Sequence, residues 1–304
     1  MVRLQGQNLR VILGDSSNNY KCVAMATSAT INLTANTDEA STKDDTGLSS
    51  KPEVTSRSGQ VSVESLSVAD VATMLTAIKN QTQFTLIWDE TDPASDQNHE
   101  AEGADFSRKA KAIINDATFS FEDRANATKS LQFTLITEPE TTSTVDVMTN
   151  TGSAYTKGQF VRLFLSSDNT ATPDAVLAAA KNLQLHVSLS LEDSTTKDTT
   201  GNWQVQEVTG LSYDITTNAL VRSGDVITSS VAGKGFNDLQ QIHKNSVPVK
   251  FQIANVSGAN QRTKGTVLMS GSVLITSLAL KSPNRQSATY DATLQGWGDY
   301  TVGA

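Results

Sequence analysis

One pattern occurs twice in this chain, and it constrains the fold more than any other feature of the sequence. The segment Thr42-Lys43-Asp44-Asp45-Thr46-Gly47 returns 154 residues later as Thr196-Lys197-Asp198-Thr199-Thr200-Gly201. With that spacing held, residues 31–66 and 185–220 share ten identical positions without a gap. A match of this length between two parts of one chain indicates an internal repeat.

Shorter matches flank this central one in the same order. Residues 6–11 match residues 158–163 at a spacing of 152, and residues 131–135 align with residues 290–294 at a spacing of 159. We therefore expect a tandem duplication of one domain, and 304 residues suffice for two domains of about 150 residues each. The stretch between the copies is rich in Thr, Ser and Gly and indicates a linker. The predicted boundaries are a first domain at 1–140, a linker at 141–156 and a second domain at 157–304.

Alternating apolar and polar side chains predict that strands dominate both copies. Residues 182–191 alternate throughout, and residues 117–121 and 247–253 follow the same period of two. Each copy also contains one short helical pattern. The first follows Ser67 and Asp70 and places Val68, Val71, Leu75 and Ile78 on one face; the second follows Gly235 with Phe236, Leu239 and Ile242. The expected fold is all-β: two tandem β-sandwich or barrel domains, each with one short helix and a long polar loop.

Charge and composition narrow the class of protein. The chain is 38% hydrophobic and 18% charged, which predicts a folded protein rather than a disordered one. It has no apolar run long enough to span a bilayer and no signal peptide at its first residues, so we expect no membrane span and synthesis in a cytoplasm. The net charge of −8 argues against a protein that reads DNA bases. The first 152 residues hold 12 Lys and Arg against 21 Asp and Glu, whereas the remaining residues hold 12 against 11.

Signals for catalysis are weak. His99, His186 and His243 never occur at metal-ligand spacing, and we expect His186 on the outward face of a strand. No nucleophile-elbow, Walker or dinucleotide-binding motif occurs. Cys22 lies in an apolar stretch and is expected to be a small buried hydrophobe. We predict no enzymatic activity, no cofactor and no metal.

Three features resemble the major tail tube proteins of long-tailed phages. They are the loop sequences at 41–47 and 195–203, the closing hairpin at 271–283 continuing through 288–298, and the order of the elements. The resemblance covers nearly all of each copy, although the first copy lacks the terminal Gly-x-Gly of the second. Most members of that family carry a single domain, so the duplication is a departure.

The resemblance implies a structural virion protein that forms stacked rings of six tube domains each. Three chains of two domains would then complete a ring with pseudo-sixfold symmetry. The implied partners are other copies of this chain and the tape measure, tip and terminator proteins of the tail. DNA would pass through without sequence-specific binding, and the tail would be assembled in the cytoplasm of a bacterial host.

Two groups of residues are candidates for roles in such a tube. The polar segments 34–51 and 188–205 are expected as loops that contact the adjacent ring or, alternatively, as ordinary surface loops. The inter-ring candidates are Asp38, Glu39, Thr42, Lys43, Asp44, Asp45, Glu192, Asp193, Thr196, Lys197, Asp198 and Trp203. An acidic segment without Lys or Arg is expected as a solvated loop, a lumen lining that repels phosphates, or a weak cation site. Its members are Asp89, Glu90, Asp92, Asp96, Glu100, Glu102 and Asp105.

Two alternatives remain open at this stage. The chain could be the inner tube of a contractile tail or injection machine, which a neighbouring sheath gene would decide. It could also be an adhesin or decoration module built from two sandwich domains, which predicts a stable monomer rather than filaments.

Overall fold

The chain folds almost entirely into strands. The computed structural model describes residues 9–14, 20–23, 26–40, 51–66, 70–90, 99–101, 107–142, 145–148, 156–177, 179–196, 198–199, 201–221, 233–257 and 263–303. Within these ranges there are nineteen strands and two α-helices, so the all-β prediction is confirmed.

The first half of the fold contains ten strands and one helix. They are β1 (Leu9–Gly14), β2 (Tyr20–Cys22), β3 (Ala26–Glu39), β4 (Pro52–Leu66), α1 (Val71–Lys79), β5 (Phe84–Glu90), β6 (His99–Ala101), β7 (Arg108–Glu122), β8 (Thr128–Leu135), β9 (Glu140–Thr141) and β10 (Val145–Met148).

The second half contains nine strands and one helix, preceded by a short 3₁₀ turn at Gly158–Phe160. They are β11 (Val161–Leu165), β12 (Ala175–Leu177), β13 (Ala180–Asp193), β14 (Gln206–Leu220), β15 (Gly233–Lys234), α2 (Phe236–Asn245), β16 (Val249–Ser257), β17 (Thr263–Lys281), β18 (Thr289–Gly296) and β19 (Thr301–Val302).

The two halves pair their strands in the same order. In the first half the antiparallel order is β3-β4-β8-β7-β5-β1-β2. In the second half it is β13-β14-β18-β17-β16-β11-β12. Even the irregularities coincide, because β3 and β13 each have register shifts against their hairpin partners at positions 154 residues apart. The spacing read from the sequence is therefore also the structural spacing of these hairpins.

The closing hairpins require one correction to the sequence alignment. Ile114 of β7 lies opposite Phe133, and Ile275 of β17 lies opposite Leu294. Each pair is followed by a bulge, so structurally equivalent residues are 161 apart rather than 159. The sequence match at 159 was wrong because apolar residues alternate along both strands, and a shift of two preserves that pattern.

Both helices form where the apolar spacing predicts them. In α1 the buried residues include Val71, Leu75 and Ile78, and in α2 they are Leu239 and Ile242. The expected start of α1 differs, because the Asp70 side chain does not cap the helix. It forms an ion pair with Lys129, whose side chain is almost completely buried. Ser67 and Val68 lie outside the described residues.

The start of α2 matches its prediction more closely. Asp238 accepts a hydrogen bond from the backbone N–H of Gly235 at 2.9 Å, which satisfies a donor at the helix start.

The predicted long polar loops are shorter than expected. Residues 34–39 belong to β3 and residues 188–193 belong to β13, so both hairpins extend well into the segments that composition assigned to loops. In β3, residues 34–39 are exposed on both faces, so this extension lacks the hydrophobic alternation that identifies a strand. In β13 the alternation continues through the buried Leu189 to Leu191, and only Glu192 and Asp193 lie beyond it. Ladder hydrogen bonding needs no apolar side chains, and it continues to Ala40, whose N–H donates to the Lys51 carbonyl.

The region predicted as a linker also contains regular structure. β10 lies within 141–156 and pairs with β6 and β2. Farther along, the backbone of Gly158 donates a hydrogen bond to Ala125 in the β7–β8 turn at 2.9 Å. The domain boundaries themselves remain a prediction.

Candidate assembly interface

The two halves are joined by a pair of strands into one continuous sheet. β13 of the second half lies antiparallel beside β7 of the first, with residues 182–188 opposite residues 122–116 in unbroken register. On its other edge, β7 keeps its hairpin partner β8. We call this β7–β13 contact the inner junction.

Apolar side chains on one face of the inner junction are buried. Leu185 lies opposite Phe119, and Val187 lies opposite Ala117. All four are at most 1% exposed and belong to a single hydrophobic core that includes residues of both halves. Burial of this kind contributes about 25 cal/mol for each Å² of apolar surface removed from water. The junction is therefore part of the core.

The opposite face of the inner junction carries a row of three ionisable side chains. His186 of β13 bonds through Nδ1 to Asp214 of β14 at 2.8 Å and through Nε2 to Asp116 of β7 at 2.7 Å. Partial burial disfavours the imidazolium, but the two aspartates outweigh that effect, and the pKa of His186 rises above its ordinary value. The residues opposite the two aspartates on their far sides, Gln132 and Gln295, are uncharged.

His186 does lie on the polar face of a strand, as the alternation predicts, and about a third of its side chain is exposed. No local pattern indicates this bridge, because Asp116 and His186 meet only through the pairing of the two halves. Among the described residues, no group of three or more His, Cys, Asp or Glu side chains is arranged to hold a metal ion.

A second contact between the halves involves the end of the β13–β14 hairpin. Trp203 forms an isolated bridge with Arg57 of β4, and the Gln204 N–H donates to the Arg57 carbonyl at 2.9 Å. Asn202 donates through its side chain to the Val54 carbonyl at 3.2 Å. Trp203, an inter-ring candidate, thus packs between the halves of its own chain.

A third contact places the end of the chain against α1. The Tyr300 hydroxyl donates to the Leu75 carbonyl at 2.8 Å, and Lys79 pairs with Asp299 at 3.0 Å. Tyr300 is 1% exposed and packs edge-to-face on Tyr213 with 5.6 Å between ring centroids. Burial, reinforced by the charge of Asp299, raises the pKa of Tyr300 far above its ordinary value. Helix α1 of the first half therefore holds the last segment of the second.

Two strand edges elsewhere in the described chain lack a neighbouring strand of the kind that the inner junction provides. β3 occupies in the first half the place of β13 in the second, and its recorded pairing is with β4 alone. β17 occupies the place of β7, and residues 277–281 are paired only with β18. We call these the β3 edge and the β17 edge.

Each edge exposes an apolar side chain whose counterpart is buried at the inner junction. Leu33 on β3 is 58% exposed, whereas Val187, 154 residues later, is fully buried. Leu280 on β17 is 53% exposed, whereas Phe119, 161 residues earlier, is fully buried. Next to Thr276, just before the β17 edge, lies an open groove of about 730 Å³. It is lined by residues 208–214 of β14, by Leu189 of β13, by parts of β18 and the segment after it, and by Lys79 and Gln81 of the first half.

The other predicted site residues lie at the hairpin ends or on β5. Asp38, Glu39, Glu192 and Asp193 are exposed strand residues, and Thr196 and Asp198 are exposed in the turn that follows. Hydrogen bonds from the Thr195 side chain and N–H lower the pKa of Asp193. Thr42, Lys43, Asp44, Asp45 and Lys197 lie outside the described residues.

The structure corrects the prediction for Asp89, the first residue of the acidic segment. Asp89 is a β5 residue with no exposed surface, and it accepts a hydrogen bond from Ser107. It cannot line a lumen in this fold, because its strand turns that side chain into the chain interior. Glu90 ends β5 and Glu100 lies on β6. Asp92, Asp96, Glu102 and Asp105 lie outside the described residues.

Eighteen chains of solved structures match this chain, among them two from gene transfer agent particles. No family model matches the sequence, and no curated protein matches it either. The chain is similar to the tail of an empty gene transfer agent particle with C6 symmetry, at 16% identity and a TM-score of 0.36, over 48% of this chain and 95% of the other. It is also similar to a chain of the virion of a native gene transfer agent particle, at 17% identity and a TM-score of 0.36, over 49% of this chain and 99% of the other. In the described part of the chain, neither helix is long and apolar enough to cross a membrane.

Proposed function

We propose that this chain is a structural subunit of a phage-like tail tube and acts by self-assembly rather than by catalysis. Three chains, each contributing two copies of a duplicated tube domain, close a ring of six domains. Rings stack into a hollow tube, which guides DNA during delivery without binding its bases.

One observation carries this proposal: the inner junction joins two similar units head to tail and leaves the equivalent edges of the outer ends unpaired. β13 sits on β7, while β3 and the end of β17 have no such partner in the described residues. A head-to-tail contact that repeats between chains forms a closed ring when its rotation closes. Closure would also remove exposed strand edges, which otherwise promote aggregation.

The chemistry of the described surface fits a scaffold. The last charged residues of the two hairpin strands, Asp38 and Glu39 on β3 and Glu192 and Asp193 on β13, are exposed. Such ends can contact an adjacent ring without requiring a large apolar patch on the free chain. The resemblance of the loop and closing-hairpin sequences to tail tube proteins points to the same function.

Electron microscopy of the purified full-length protein over a range of concentrations tests this proposal. We expect hollow tubes or stacked rings whose cross-sections show six similar lobes built from three chains. Six chains in each ring would contradict the stoichiometry, and a protein that stays monomeric at all concentrations would contradict the tube function.

A further inference from the structure

We propose that the β3 edge of one chain pairs antiparallel with the β17 edge of a second copy of this chain, with Leu33 opposite Leu278 and Ile31 opposite Leu280. This inference rests on the proposed function, since it names the contact through which one chain would join the next. It specifies a partner, two edges and one register.

The register follows from the inner junction. There, Val187 lies opposite Ala117 and Leu185 lies opposite Phe119. The hairpins containing β3 and β13 superpose in register at a spacing of 154, including both of their irregularities. The hairpins containing β7 and β17 correspond at a spacing of 161, including the bulge. Subtracting 154 from the β13 residues and adding 161 to the β7 residues gives the two proposed pairs.

Burial at the two edges supports the same partner. Leu33 and Leu280 are two of the large apolar side chains that remain exposed among the described residues. Leu278 is only partly buried, although its counterpart Ala117 is fully buried by the strand beside it. The proposed pairing would cover these three leucines together, as the inner junction covers Phe119 and Val187.

The charges at the two edges permit this contact. The β3 segment that would pair, residues 28–34, contains no ionisable side chain. On the β17 edge the charged residue is Lys281, which already forms an ion pair with Asp291 at 2.5 Å. Pairing would therefore not bury an uncompensated charge, which would be strongly unfavourable.

The groove beside the β17 edge is the place where the rest of the β3 hairpin would lie. In the first half, Leu189, Leu191 and Gln204 of the second half form one wall of the equivalent pocket near Gly59. At a spacing of 154, the residues that would enter the open groove are Ala35 and Thr37. Leu211, at the groove, is 36% exposed, and the incoming strand would cover it.

Disulfide trapping tests the register. In a Cys22→Ala background, Leu33→Cys is combined with Leu278→Cys, and in a second variant Ile31→Cys is combined with Leu280→Cys. Directly opposed residues in an antiparallel pair lie within disulfide distance. Mild oxidation should link chains into multiples of 32.4 kDa on a non-reducing gel, ending at three chains when rings contain three. Leu33 and Leu280 are exposed, and Ile31 and Leu278 are partly buried at the margin of the core, so none of the four substitutions removes a fully buried side chain.

A matched control shifts the register by one residue. Leu33→Cys combined with Ala279→Cys places the two thiols on opposite faces of the sheet and should give at least tenfold less cross-linked product. Leu33→Cys alone should give none, and abundant dimer from that variant would indicate a two-fold β3–β3 contact and overturn the proposal.

Imaging the same samples separates this inference from the proposed function. Tubes without cross-links at either proposed pair would overturn the register and leave the tube function standing. Cross-linked chains without rings or tubes would support the edge pairing and contradict the tube function. Unlinked monomers in every sample would contradict both.

Discussion

At the scale of single residues, His186 marks the inner junction chemically. A neutral imidazole has one N–H and can donate to only one of Asp116 and Asp214, whereas the imidazolium donates to both. At the proposed contact between chains, the positions equivalent to Asp116, His186 and Asp214 are Ser277, Asn32 and Gln60. The charged row therefore belongs to the contact within a chain and is absent from its counterpart.

His186→Asn should lower the stability of the chain most at mildly acidic pH. Because the folded-state pKa lies above the unfolded value of about 6.5, the stabilisation is fully present below that pH and is lost as the pH rises through the folded-state pKa. Solvent screens a pair that is a third exposed, so we expect a loss of about 1 kcal/mol or less near pH 6. Urea unfolding of both chains at about pH 6 and about pH 9 measures this loss of unfolding free energy.

The aspartate partner provides the control for this prediction. Adding Asp116→Asn to the His186→Asn variant should change the pH dependence little further, because the pair is already broken. An equal loss of stability at both pH values would show that His186 acts by packing alone.

At the scale of elements, Tyr300 attaches the last segment to helix α1. Tyr300→Phe removes the hydrogen bond to Leu75 but keeps the ring, so it should cost about 1 kcal/mol of unfolding free energy. Tyr300→Ala also leaves a cavity beside Tyr213 and should cost roughly 3–5 kcal/mol. Chemical denaturation measures both variants.

The neighbouring surface ion pair gives a matched control. Asp299→Asn breaks the ion pair with Lys79. Because the Asp299 side chain is 64% exposed, the substitution should lower the unfolding free energy by about 0.5 kcal/mol or less. If Tyr300→Phe were as mild as this variant, the hydroxyl contact would not hold the segment.

Individual elements were more predictable from the sequence than their assembly. The strand of residues 182–191 and both helices follow from local periodicity, and each forms. The extension of β3 through residues 34–39 was missed because both of its faces are polar. The burial of Asp89 was missed because it results from the pairing of β5 between β1 and β7, which no local pattern encodes. The inner junction joins residues about 70 positions apart, and no local pattern encodes that distance.

At the scale of the whole molecule, each chain has two different edges, and this asymmetry predicts how blocked variants combine. Leu33→Lys should block the β3 edge and Leu280→Lys the β17 edge, because an added charge would have to be buried without a partner. Either variant alone, at concentrations where the unmodified chain assembles, would have one active edge but no complementary active edge, and should stay near 32.4 kDa.

Mixing the two blocked variants should restore one contact and no more. The free β17 edge of the Leu33→Lys chain can accept the free β3 edge of the Leu280→Lys chain, giving a one-to-one dimer in light scattering. Both remaining edges of that dimer are blocked, so neither rings nor tubes can follow. Dimers of either variant alone would instead require a two-fold contact between identical edges, which cannot extend the head-to-tail order of the inner junction from chain to chain.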